Sequence, residues 1–278
     1  MAAMESTRNP IVSVIIPVYN GESYLSETIA SVLGQTENDW EIVAVNDGST
    51  DDSQKILAEY AIKYPGKIRV IQMDNGGVSR ARNTGVSAGR GTFIAFIDQD
   101  DLWRPKKLER QIRMFSENDN LGISFTNESV IDSNGTIVRE KVFEFDKKMT
   151  GNIFEQILFD NFIPISSVMI RRSLFLEIGG FDPQYSFAED YDFLLRAAQK
   201  VTIDCSDEPL LLYREHSGSW TYKKIDKITT EANLILDHWR VRNPHLFRDH
   251  PLRYFMFRLK FAFLKLRITI KRSFMKPE

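Results

Sequence analysis

The stretch Thr92-Phe93-Ile94-Ala95-Phe96-Ile97-Asp98-Gln99-Asp100-Asp101 is an apolar run that stops abruptly in three carboxylates. An uninterrupted apolar run is the pattern of a strand covered on both faces. Ionised carboxylates crowded at its carboxyl end repel one another unless a cation or a set of donors holds them. In open α/β sheets the crevice beyond the strand ends is where ligands sit. An isolated D-x-D-D is more often a loop of solvated aspartates, so the other strand ends must decide. Tyr19-Asn20 follow the apolar run VSVIIPV, and Asp47-Gly48-Ser49 follow a second run beginning at Trp40. If these strands are neighbours, all three polar ends share one crevice. Asp47 then offers an acceptor to an imide or ribose hydroxyl, and Tyr19 a ring on which a base can stack. Arg80 and Arg82 lie close to a helix start, where backbone donors and positive charge suit a phosphate. A second acidic group, Glu189-Asp190-Tyr191-Asp192, opens a later helix, where carboxylates are electrostatically favoured whatever their chemistry.

The elements that must position these groups follow from the hydrophobic pattern. Residues 12–18 are predicted as a strand, with Pro17 near its end where the ladder stops. Leu25, Ile29, Val32 and Leu33 recur at helical spacing in 23–33, and Gly34 provides the stop. Strands over 40–45, 68–73 and 93–97 alternate with helices from about 50 to 64 and over 78–88. Four strands alternating with three helices imply right-handed crossovers and a parallel sheet. Beyond the carboxylates the pattern predicts a helix over 106–115 and a strand over 121–127, with a hairpin turn at Ser133-Asn134-Gly135. A helix over 151–160, a short strand over 167–170 and a helix over 172–178 follow. After the helix opened by Glu189, two separate strands are expected, near Val201 and over 210–213.

The chain has 278 residues, a formal net charge of −2 and a pI near 6.2, which argues against bulk nucleic-acid binding. The average hides a skew: from Arg240 onward eleven Lys/Arg face two acids, Asp249 and Glu278. The single cysteine, Cys205, precludes an internal disulfide, fits a reducing compartment and reads as inert rather than nucleophilic. Residues 1–10 lack the apolar core of a secretory signal, and no run of 18 apolar residues predicts a spanning helix. Residues 251–272 read as a basic amphipathic helix. One apolar stripe holds Phe255, Leu259, Ala262, Phe263, Leu266 and Ile270, and a narrower one holds Phe257, Phe261, Leu264 and Ile268. Such a helix suits an anionic membrane surface, the protein core or a second subunit. The expected location is cytoplasmic, with peripheral contact to the cytoplasmic face of the membrane.

In order and spacing, several segments resemble the family 2 inverting glycosyltransferases of GT-A fold. They are Val14-Ile15-Ile16-Pro17-Val18-Tyr19-Asn20, Val45-Asn46-Asp47-Gly48-Ser49-Thr50-Asp51, the Arg80/Arg82/Asn83 segment, Asp98-Gln99-Asp100-Asp101, Gly179-Gly180-Phe181-Asp182, Ala188-Glu189-Asp190 and Tyr213-Arg214-Glu215-His216. The resemblance implies an α/β GT-A domain over 11–220, with a Rossmann-like nucleotide-sugar half (11–127) and an acceptor and catalytic half (128–220); the helical basic tail (221–278) lies outside it. It implies a nucleotide-sugar donor, most often a UDP-sugar, held by Pro17, Tyr19, Asn20, Asp47, Ser49, Arg80, Asn83, Asp98 and Gln99. A magnesium or manganese ion would bridge the diphosphate on Asp100, with Asp98 on the ribose or beside the ion and His216 completing the set. Whether Asp100, Asp101 or both bind the ion stays open. Asp190 would be the general base toward a glycan or lipid-linked acceptor hydroxyl, with Asp192, two residues on and pointing in a different direction, competing for that role. Asp101, Trp103 and Glu189 would contact the acceptor or support the ligand-holding groups.

Other classes fare less well. A dehydrogenase would need G-x-G-x-x-G after the first strand, where Tyr19-Asn20-Gly21-Glu22 stands. A glycosidase would use two carboxylates without nucleotide or metal. A metal-dependent nucleotidyltransferase would employ Asp98 and Asp100 but leave Glu189 and Asp190 idle. A non-catalytic membrane-associated binding module would have no use for the full carboxylate set.

Overall fold

A computed structural model describes residues 9–144 and 146–274. The amino-terminal half alternates strand and helix: β1 (Val12–Val18), α1 (Leu25–Leu33), β2 (Trp40–Asp47), α2 (Ser53–Lys63), β3 (Ile68–Met73), α3 (Val78–Ala88) and β4 (Phe93–Phe96). β1 pairs in parallel with both β2 and β4, and β2 with β3. Every residue of β1 and β2 is buried, as strands covered on both faces require. Each fully buried Val, Ile or Leu in this layer contributes about 1.5–3 kcal/mol. α3 lies directly on the sheet because Gly85 has no side chain: a Cβ there would stand 2.5 Å from Ile15 Cγ2.

The second half is mixed. A two-residue strand, β5 (Leu102–Trp103), leads into α4 (Lys107–Glu117), β6 (Leu121–Ile131) and the edge strand β7 (Ile137–Arg139). After α5 (Phe154–Phe159) come β8 (Met169–Arg171), α6 (Arg172–Ile178), α7 (Glu189–Ala198) and β9 (Thr202–Arg214). The sheet runs β3-β2-β1-β4-β8-β6-β9-β5, with β7 on β6. β8 is antiparallel to β4 and β6, so the parallel layer grades into a mixed one. The two strands expected near Val201 and over 210–213 are one strand. Asp207 and Glu208 bulge out of its pairing with β6 where the register shifts, and Pro209, which has no N–H for the ladder, resumes it.

Residues 220–274 are helical: α8 (Trp220–Arg242, kinked at Lys224), α9 (Pro244–Asp249) and α10 (Pro251–Phe274). These helices share the core of the second half. Phe154 meets Trp239 with ring centroids 5.2 Å apart, Phe159 meets Phe247 at 5.3 Å, and Tyr191 stacks on Phe257 at 5.6 Å. The boundary expected at 220/221 therefore falls within one hydrophobic cluster, as does the one at 127/128, which β6 crosses. On α10 the narrower stripe turns inward at Phe257, while Leu252, Phe255, Met256, Leu259, Phe263 and Leu266 are exposed. The side chains of Phe261, Ala262, Lys265, Arg267, Ile268, Ile270, Lys271 and Arg272 lie outside the described set, as do residues 1–8. Arg258 pairs with Asp237 at 2.6 Å and Lys260 with Asp160, fixing α10 to α8 and α5. No helix among the described residues is long and apolar enough to cross a membrane.

Candidate active site

The carboxyl ends of β1, β2 and β4 open onto a cavity of about 420 Å3, closed on its far side by the start of α7 and by α8. Pro17, Val18 and Tyr19 come from β1 and its turn. Asp47 ends β2, and Asp98 to Asp101 follow β4. Glu189 enters from α7, Ser186 and Phe187 from the loop before it, and Tyr213, Thr221 and Ile228 from β9 and α8.

Arg82 joins the two acidic groups. Its side chain is almost wholly buried and donates to Asp98 Oδ1 at 2.6 Å and to Glu189 Oε1 at 2.5 Å. Burial works against its charge, but Asp98 and Glu189 outweigh it, so the guanidinium stays ionised. Burial likewise pushes Glu189 up, partly offset by Arg82. Asp190 is raised to about 7 by burial and then by the neighbouring Glu189 charge, with Arg82 opposing. Its Oδ1 accepts from the Tyr191 N–H at 2.6 Å. A carboxyl poised near neutrality beside a fixed cation is suited to accepting a proton.

The Asp98–Asp101 segment resolves into distinct roles. Asp101 is 1% exposed, accepts from Arg214 N at 3.0 Å, and is pushed well above the usual carboxylate range by burial and by Asp100 and Asp98. Asp100 remains partly open, with its Oδ2 2.9 Å from His216 Nε2. Arg214 binds this loop to the end of β9: its Nε donates to Asp100 O at 2.8 Å and its Nη2 to Glu27 at 2.7 Å. Among the described residues no cluster of three or more His, Cys, Asp or Glu could by itself hold a metal ion. The expected trio of Asp98, Asp100 and His216 is thus not assembled, because Asp98 turns to Arg82. Asp100 and His216 remain as two adjacent donors, which suits a hard dication that takes its other ligands from water and phosphate.

The family model for glycosyl transferase family 2 matches residues 13–179, more than half the chain and the whole layer that carries Asp47, Arg82 and Asp98. The chain belongs to this family. It is 33% identical over 231 residues to an uncharacterised glycosyltransferase of Rickettsia felis, covering 81% of this chain and 37% of that protein. It is 36% identical over 225 residues to the uncharacterised glycosyltransferase EpsJ of Bacillus subtilis, covering 76% and 63%. A putative teichuronic acid biosynthesis glycosyltransferase of the same organism, TuaG, is 35% identical over 164 residues, covering 59% and 63%. The chain thus spans about a third to two thirds of the length of these relatives. Among solved structures, S. aureus TarS in complex with UDP-GlcNAc superposes with a TM-score of 0.61 at 21% identity, covering 84% and 72%. A Pyrobaculum calidifontis mannosyltransferase in complex with GDP-Man and Mn2+ gives 0.66 at 16%, covering 95% and 74%. These likenesses establish the GT-A fold.

Within this family 2 domain, Pro17, Tyr19, Asp47, Asp98, Gln99, Asp100, Asp101 and Glu189 line one cavity, as expected. Asp47 is already engaged, its oxygens accepting from Gly76 N at 2.7 Å and Gly77 N at 2.8 Å. Gln99 brackets the Tyr19 backbone, accepting from its N–H and donating to its carbonyl. Asn20 and Asn83, expected on the donor, and Trp103, expected on the acceptor or in support, are not among the cavity-lining residues and hold backbone groups. Asn20, in the left-handed region at φ 51°, accepts from Thr50 N, and its own N–H donates to Ser49 Oγ. Asn83 holds both the N–H and the carbonyl of Phe181. Trp103 is buried away from the cavity, donating to Ser166 O with the Lys107 ammonium 3.9 Å from its ring. Arg80 is exposed, its side chain lying against Gly76, and is not among the cavity-lining residues, whereas Arg82 is. Helical period distinguishes the two: Arg82 shares the buried face of Ala81, Gly85 and Val86, and Arg80 does not. Asp190 stands behind Glu189 and not among the cavity-lining residues. Phe187, Thr221 and Ile228 had no sequence signal, because only the folded chain brings α8 over the sheet.

Proposed function

We propose that this chain transfers a sugar from a nucleotide-diphosphate sugar, foremost a UDP-sugar, to a hydroxyl of a glycan or lipid-linked acceptor, with inversion at the anomeric carbon. The observation that carries this reading is the Arg82 bridge, which brings the β4 carboxylates and the Glu189–Asp190 helix start to one cavity. The relative TuaG, named for teichuronic acid biosynthesis, supports a role in assembling a bacterial-type surface polysaccharide. UDP-GlcNAc on TarS and GDP-Man with Mn2+ on the mannosyltransferase support donor class and metal use.

Tyr19 and Asp47 would frame the base and ribose, and the start of α3, where Val78 lines the cavity, would face the diphosphate. Asp100 and His216 would hold a manganese or magnesium ion, which when bound supplies Lewis acidity to the leaving diphosphate. Asp190 takes the proton of the acceptor hydroxyl as its oxygen bonds to the anomeric carbon. The bond from that carbon to the diphosphate breaks, and its electron pair leaves with the phosphate oxygen. Arg82 ties Asp98 and Glu189 together beside Asp190, and burial with the neighbouring Glu189 favours a proton arriving at Asp190. The exposed stripe of α10, with its basic flanks, would rest on an anionic membrane surface beside a lipid-linked acceptor.

A thermal-shift panel of UDP-, GDP- and dTDP-sugars with and without manganese tests the donor assignment. A UDP-sugar is expected to stabilise the protein by several degrees, more so with manganese. No nucleotide-dependent shift would contradict the reading.

A further inference from the structure

The residues that lead into Glu189 and Asp190 are held from outside the segment matched by the family model. Ala188 precedes the first turn of α7 and has no side-chain cap of its own. A helix start leaves backbone N–H groups without intrahelical partners, and a local Ser, Thr, Asp or Asn ordinarily takes them. Here Glu231 of α8 takes the N–H of Ala188, the residue before the helix, and those of the two loop residues ahead of it. Its Oε2 receives the N–H groups of Ser186 at 3.0 Å, Phe187 at 2.8 Å and Ala188 at 3.0 Å, and its Oε1 lies 3.2 Å from Ser186 N. One turn earlier on the same helix, Lys227 places its ammonium 5.2 Å from the centroid of the Phe187 ring, and Ile228 joins Ser186 and Phe187 in the cavity wall.

A carboxylate near a helix start is favoured by the backbone N–H groups there, yet this one joins an acidic cluster. The first turn of α7 already carries Glu189, Asp190 and Asp192, and a fourth negative charge adds repulsion. Three charge-assisted hydrogen bonds from consecutive amides offset that cost. They have a further consequence. With those amides occupied, Glu189 is left to reach Arg82, and Asp190 keeps a single backbone donor, Tyr191 N, within its own helix. Remove the clamp, and the first-turn carboxylates can fold back onto the vacated N–H groups, as acidic residues at helix starts tend to do.

We infer that Glu231 is a positioning residue: by clamping Ser186–Ala188 it sets where Glu189 stands in the cavity wall and where Asp190 stands next to it, making α8 part of the catalytic apparatus. The inference rests on the reading of Asp190 as base. The test uses the full chain and the variants Glu231→Gln, Glu231→Ala and Asp190→Asn. Three quantities are followed: UDP affinity by calorimetry with manganese, UDP release on transfer of the sugar to water as acceptor from an equimolar mixture of UDP-glucose, UDP-galactose and UDP-N-acetylglucosamine, and amide hydrogen exchange over residues 185–191. In Glu231→Ala, exchange in that segment is expected to rise at least tenfold and UDP release to fall at least tenfold. UDP affinity should stay within twofold and exchange in β1–β4 should not change. Glu231→Gln, which keeps the shape but not the charge, should fall in between. In an Asp190→Asn background, Glu231→Ala should cost nothing more. Unchanged exchange over 185–191 would overturn the clamp whatever the activity. Full UDP release by Glu231→Ala while Asp190→Asn is inactive would overturn the positioning role alone, and full release by Asp190→Asn would instead refute the base assignment.

Discussion

The two sides of the cavity are built on different principles. On the nucleotide side, β1, β2 and β4 are parallel neighbours, and each places its site residues in the few positions after its own carboxyl end. A strand–turn–helix repeat therefore fixes both where the chain goes and which residues meet. On the acceptor side, the parts meet across long stretches of sequence. Arg214 at the end of β9 staples the Asp100–Asp101 loop, Arg82 of α3 reaches Glu189, and Glu231 caps a helix that begins more than forty residues earlier. The first kind of construction needs only local pattern. The second depends on tertiary contacts, and the charged groups within it have strongly shifted equilibria because they are buried together.

If the comparison holds, breaking the joint between the sides should have the largest effect. Arg82→Ala leaves Asp98 and Glu189 facing each other without a cation. Removing one partner from a buried ion pair typically costs about 3–5 kcal/mol, so urea unfolding should shift by that order and UDP release should fall more than a hundredfold. A variant of unchanged stability would show that the bridge does not hold the two sides together. A change confined to the donor side should be smaller and more selective. Asp100→Ala should abolish the gain in UDP affinity that manganese provides, with little change in manganese-free affinity. Equal manganese dependence in wild type and variant would move the ion away from Asp100. The smallest effect on chemistry should come from the outermost element: Leu259→Ser with Phe263→Ser on α10 should cut co-sedimentation with phosphatidylglycerol vesicles several-fold while leaving UDP release unaltered. Undiminished vesicle binding would release α10 from the membrane assignment.

The same contrast explains what was legible in the sequence. β1, β3 and α3 have the expected bounds, and β2 and β4 differ only at their ends, because continuous apolar runs and turn residues mark them locally. Asp47, Asp98 and Asp100 were found by the same logic. Arg80 was preferred over Arg82 because nearness to a helix start says nothing about which face turns inward. Asn20, Ser49 and Asn83 carry motif positions whose work is to fasten loops, and a polar side chain in a motif does not announce whether it meets ligand or backbone. β9 was divided in two because Pro209 and the Asp207–Glu208 bulge imitate a strand end. Nothing local distinguishes Glu231 from any other glutamate on a half-exposed helix; its partners are backbone amides in a distant loop.

The pH dependence of UDP release in wild type and Asp190→Asn bears most directly on the central claim that the two sides converge on one base. With Asp190 raised to about 7, wild-type release should climb through that pH as the carboxyl ionises and then level off. The sign for stability is the opposite: a raised carboxyl stabilises the fold below its unfolded value near 4, and that contribution is lost as pH rises through 7. Asp190→Asn should therefore melt a few degrees above wild type at pH 8, bind UDP as tightly, and release it at least a hundredfold more slowly with no step near pH 7. Release at the wild-type rate, with the same pH step, would contradict the account.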